Sequence, residues 1–167
     1  KLISCINSDL ANNFGNLCQR VMAFTEKNLS LKVPEINNFN EEDLKILNNF
    51  SDNYKNLIDY INDQNINSYM NFIVDQMFIA NKYFNDQEPW KKKNDIKRLN
   101  SIIYTSLELI RKISILLYPV IPNSSLKALN IFNITEKQVN IESIKNNNYL
   151  EPGLNIKQID ILFKKVL

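Results

Sequence analysis

Residues 94–117 read Asn-Asp-Ile-Lys-Arg-Leu-Asn-Ser-Ile-Ile-Tyr-Thr-Ser-Leu-Glu-Leu-Ile-Arg-Lys-Ile-Ser-Ile-Leu-Leu. Ile96, Leu99, Ile103, Leu107, Ile110, Ile113 and Leu117 recur at steps of three or four. That spacing repeats the α-helical turn, so all seven fall on one stripe of a long helix. Asn94 or Asp95 opens it as an N-cap, and Pro119 forces it to end.

The same periodicity appears on both sides. Upstream, Leu10, Phe14, Leu17, Val21 and Phe24 mark a first helix over about 8–27, with Ser8 as N-cap and Asp9 in the first turn. A second helix is predicted over about 40–61, with Glu41, Glu42 and Asp43 facing its positive end. A third runs over about 67–84 on Met70, Ile73, Met77 and Ala80, and is closed by the polar segment before Pro89. Downstream, Ser124 or Ser125 caps a short fifth helix with Leu126, Leu129 and Phe132, and a further short helix is read around 141–145. Residues 156–167 are apolar enough to dock back on the body. The expectation is an all-α helical bundle of four main helices, a short fifth helix and a C-terminal tail of about 134–167, all in one domain over 1–167.

Composition removes whole classes of function. The 167 residues hold no His, which excludes His acid–base chemistry, Ser-His and Cys-His nucleophiles and His-bound metal. Two Cys are too few for a disulfide framework and read as reduced thiols of a cytoplasmic protein. Two Gly argue against phosphate-cradling loops. The 28 Asn accompany 23 Ile and 17 Lys, a bias that an AT-rich genome produces without any functional cause. Net charge is +2, so a polyanion would have to meet a local patch. No apolar run approaches the ~18 residues of a membrane span. The chain opens on Lys1 without a signal peptide and reads as beginning partway through a longer protein.

Three features bear on function. Asp9, Asn13, Asn16 and Arg20 form a second stripe on the first helix, a row of donors and acceptors suited to one ligand edge. A solvated face in an Asn-rich chain has the same composition. Trp90 is the sole tryptophan and sits after Pro89 in a loop, followed by Lys91, Lys92 and Lys93. An exposed indole beside cations is a base-stacking platform with phosphate contacts at hand; a loop Trp folded over the core edge is the alternative. Lys97 and Arg98 extend the basic run, which at a helix start opposes the helix dipole.

These residues carry a resemblance. The stretch Asn7-Ser8-Asp9-Leu10-Ala11-Asn12-Asn13-Phe14-Gly15-Asn16-Leu17-Cys18-Gln19-Arg20-Val21 resembles the helix that opens the anticodon-binding domain of methionyl-tRNA synthetases. Ala80-Asn81-Lys82-Tyr83 followed by Pro89-Trp90, then Leu116-Leu117-Tyr118-Pro119-Val120-Ile121-Pro122, then Gly153 and Leu162-Phe163, are similar to that family's later motifs in the same order. Lys164 departs from the family's usual Pro. The resemblance implies that Trp90 stacks on an anticodon base and that Arg20 contacts bases. It implies assistance from Asp9, Asn13 and Asn16, with Asn81 and Tyr83 in support. It further implies the anticodon stem-loop of tRNA(Met) as partner, read at CAU. A catalytic domain would be joined in cis, holding the ATP and Mg that this chain has no signature for. Trp90 should be at least partly exposed and share a groove with Arg20. The rival reading is a helical protein-interaction module without an RNA role.

Overall fold

A computed structural model describes residues 9–36 and 38–158. After a π-helical turn at Asp9–Phe14 come α1 (Gly15–Leu29), α2 (Glu41–Asp52), α3 (Tyr54–Asn62), α4 (Ile66–Gln87), α5 (Ile96–Leu117) and α6 (Pro122–Asn130). Short 3-10 turns lie at Pro89–Lys91, Glu136–Gln138 and Ile141–Lys145. The all-α bundle read from periodicity is the observed architecture. Ser8, Leu162 and Phe163 lie outside the described residues.

The central element is α5. Asp95 caps it, its side chain accepting from the Arg98 amide at 3.2 Å. The stripe reading gives α5 a solvent face, and the structure removes it. Every residue from Ser101 to Leu117 is buried, while Ile96, the first stripe member, is 63% exposed. The cause is tertiary: α1, α2, α4, α6 and the turn at Ile141–Lys145 all pack around α5.

Local chemistry explains two other departures. The predicted helix over 40–61 is broken at Asn53, whose side-chain amide and backbone N–H share the Asn49 carbonyl at 2.8 and 3.2 Å. The fifth helix starts at Pro122, not at Ser124 or Ser125, because proline at the first helical position has no amide to leave unsatisfied.

The tail up to residue 158 docks by backbone pairing and by buried charge, while the rest of the segment expected to dock, 159–167, lies outside the described residues. Val33 and Gly153 exchange with Leu154 and Val33 carbonyls at 2.9 and 2.8 Å, and the Ile156 amide reaches the Leu31 carbonyl at 2.7 Å. Gly153 has φ +85°, a conformation that favours glycine at this turn. On α5, Glu108 and Arg111 form a fully buried pair at 2.8 Å. Arg111 donates to the Asn146 carbonyl at 2.8 Å, and Glu108 accepts from the Leu150 amide at 3.1 Å. Lys112, also buried, donates to the Leu47 carbonyl at 3.3 Å and to Asn147 Oδ1. Among the described residues no helix is long and apolar enough to cross a membrane.

Candidate nucleic-acid interface

Two elements meet at one end of α4. The helix runs to Gln87, then Glu88 takes a left-handed φ of 47° and Pro89 starts the 3-10 turn that carries Trp90. The turn is closed by amide bonds from Lys91 to the Glu88 carbonyl (2.9 Å) and from Lys92 to the Pro89 carbonyl (3.0 Å). Trp90 is therefore held in place while 43% of it stays exposed.

Arg20 reaches the same end from α1. Its guanidinium lies 5.0 Å from the centroid of the Phe84 ring and donates to Asn85 Oδ1. The Trp90 ring also meets Phe84, with centroids 6.1 Å apart and planes at 63°. With legs of 5.0 and 6.1 Å through one ring, the guanidinium and the indole cannot be more than about 11 Å apart. The structure thus brings Arg20 and a partly exposed Trp90 together at this end of α4. Phe84 and Asn85 were not singled out from sequence. The available signal was Phe84 itself, which continues the Met70–Ile73–Met77–Ala80 stripe by one more turn.

The polar stripe on the first helix is only partly regular. Across Asp9–Phe14 the chain winds as a π-helix, bonded i to i+5, so the ~100° step that aligns Asp9 with Asn13 and Asn16 does not hold there. The side chain of Asp9 lies outside the described set. Asn13 is half-buried, and its carbonyl accepts from Asn81 Nδ2 at 2.9 Å. Asn16 is exposed, its amide turned to the Asn12 carbonyl at 2.5 Å.

The basic run divides. Lys91 is exposed and pairs with Glu88 at 3.2 Å. Lys92 donates to the Gln87 carbonyl at 3.0 Å, a cation on the negative end of α4. Lys93 is exposed, with no ion pair among the described residues. Arg98 does not belong to a solvent-facing run. It turns inward and forks onto the fully buried Asp43 at 2.7 and 3.1 Å, with a third bond to Gln87 Oε1 at 2.8 Å. Tyr83 donates to the same carboxylate at 2.5 Å, and burial followed by the charge of Asp43 pushes the phenol's pKa up. Asp43 also completes a capping box with Asn40 at the start of α2. The sequence reading places Asp43 in the first turn of this helix, facing its positive end, which captures one of its three tasks. Asn81 and Tyr83 thus tie α4 to the π turn before α1 and to α2, within a few residues of Phe84.

Comparisons with known proteins give the family. Residues 33–167 match the family model described as the anticodon binding domain of methionyl tRNA ligase. The chain belongs to this family of methionyl-tRNA synthetase anticodon-binding domains. It is 32% identical over 172 residues to a methionine–tRNA ligase of Thermotoga maritima, covering 99% of this chain and 27% of that protein. It is 31% identical to the Rickettsia typhi ligase, covering 99% of this chain and 33% of that one. The crystal structure of free Mycobacterium tuberculosis methionyl-tRNA synthetase superposes with a TM-score of 0.90 at 27% identity, over 99% of this chain and 34% of that chain. The chain thus spans about a third of the length of these synthetases.

Proposed function

We propose that the surface shared by Arg20 and Trp90 binds the anticodon loop of tRNA(Met) and reads CAU, as part of a synthetase that attaches methionine to that tRNA. The observation that carries this reading is the meeting of an exposed indole and an arginine fork on one ring, in a member of an anticodon-binding family. A single-stranded loop can splay its bases out of the stack, so that one base lies on the indole face and another offers its edge to the guanidinium. Arg20 spends one donor on Asn85, which fixes the plane of the fork and leaves other N–H groups for a base edge. Asn16 lies one turn before Arg20 on the same side of α1 and is the nearest further polar contact, while Asp9 and Asn13, on the π turn before it, are the remaining candidates. Lys91 and Lys93 stand beside Trp90 as phosphate contacts; Lys92 serves chiefly the end of α4. The catalytic domain in cis would hold ATP and Mg, and the whole protein would work in the cytoplasm.

The test is binding of the chain to RNA hairpins carrying CAU or an altered loop, over a range of salt. Trp90→Ala should weaken the CAU hairpin roughly 5- to 150-fold, since base–aromatic stacking contributes ~1–3 kcal/mol. Arg20→Ala should narrow the difference between CAU and altered loops more than Trp90→Ala does, because edge hydrogen bonds carry base identity. Normal binding by a folded Trp90→Ala chain would refute the assignment. Salt-insensitive, loop-independent association would favour the protein-interaction reading instead.

A further inference from the structure

We infer that Phe84 is a positioning residue that makes Arg20 and Trp90 respond to RNA as one unit, an inference that rests on the anticodon-loop reading above. Phe84 is 2% exposed, so it does not itself meet a base. Its ring nevertheless touches both groups that do: the Arg20 guanidinium at 5.0 Å and the Trp90 ring at 6.1 Å. Phe24 also packs on this ring, edge-on at 6.5 Å and 84°.

The chemistry of that arrangement is specific to an aromatic ring. A π-face attracts a cation, and a tilted aromatic pair prefers the offset that Phe84 and Trp90 adopt; an aliphatic side chain of similar bulk does neither. Residue 85 supplies the acceptor for the same guanidinium, so one turn of α4 holds Arg20 twice. Ordering Trp90 on a base therefore fixes the ring that seats Arg20, and ordering Arg20 fixes the ring that backs Trp90. The entropic cost of fixing the pair is met once instead of twice, so the two residues should be energetically coupled.

The experiment is a double-mutant cycle with a fluorescently labelled CAU hairpin, read by anisotropy. In the natural background, Arg20→Ala plus Trp90→Ala should weaken binding by about 3- to 10-fold less than the product of the two single losses. In a Phe84→Leu background the losses should multiply, with coupling under about 2-fold. Phe24→Leu is the matched control, a similar truncation of a ring that has no ring pair with Trp90 and no cation–ring contact with Arg20 among the described residues, and it should leave the coupling in place. If Phe84→Leu loses helical content, Phe84→Met serves as the background, and Phe84→Tyr should keep the coupling. Undiminished coupling in the Leu or Met background would overturn the inference, as would equal loss in Phe24→Leu. Additive losses in the natural background, with each single variant still weakened, would overturn it while leaving the anticodon-loop reading intact. If neither single variant weakens binding, that reading fails and the inference falls with it.

Discussion

Asp43→Asn is the substitution that asks most of this fold. The carboxylate is wholly buried and accepts four bonds: two from Arg98, one from the Tyr83 hydroxyl and one from the Asn40 amide. Asparagine keeps the shape but has one acceptor oxygen, so at least one of these donors faces an NH2 group. Breaking a buried charge pair costs about 3–5 kcal/mol because the remaining charge is stranded. The Arg98 side chain keeps 18% exposure, and water there offsets part of the loss. The expected destabilisation is therefore about 3 kcal/mol, at the lower end of that range. Urea unfolding followed by far-UV circular dichroism measures it, with the slope unchanged and the midpoint lowered. Arg98→Met added to Asp43→Asn removes the stranded cation, so the double variant should be more stable than the sum of the singles. A loss below ~1 kcal/mol for Asp43→Asn, or a double variant no better than additive, would refute the claim that this pair holds α2, α4 and α5 together.

Burial pushes the Lys112 ammonium down to about 7 from an ordinary 10.5, partly opposed by the nearby Glu108 charge. The unfolded chain then holds more protons than the folded one above pH 7, so Lys112 makes stability rise with pH, by about 2 kcal/mol between pH 7 and 9. Above pH 9 the buried Cys18 thiol, whose pKa burial raises, acts in the opposite sense. Thermal melts of Lys112→Met should show this rise largely gone; an unchanged slope between pH 7 and 9 would refute the assignment. Lys93→Ala should lower the salt slope of hairpin binding by about one phosphate and weaken CAU and altered loops equally, as read by titrations at several salt concentrations. Lys92→Ala should instead lower the melting temperature, since its ammonium is bonded to the end of α4.

Much of the site was legible because its signals are local. Pro89 marks the end of α4 in any context, and a lone Trp beside lysines in a polar segment is unusual whatever surrounds it. Arg20 was legible from its place in a motif, not from the helix geometry. The aligned row with Asp9 was not secure, because backbone winding decides side-chain phase and the chain forms a π turn there. Phe84 was hidden for the opposite reason. It looked like ordinary core on a regular stripe, and nothing along the chain reveals that its ring meets residues 64 positions before it and six after.

The bundle itself follows from short-range physics. Apolar residues every three or four positions force helices, prolines end them, and apolar stripes must be covered, so the sequence alone determines an all-α body with its main helices in place. Charge is another matter. Glu108, Arg111 and Lys112 look like the wet side of an amphipathic helix, and Arg98 looks like one more surface cation. Only the assembled tertiary structure places residues 143–150 over the first three and Asp43 against the fourth. A charged side chain tolerates burial where partners replace its water, and those partners come from segments 32 to 65 residues away along the chain.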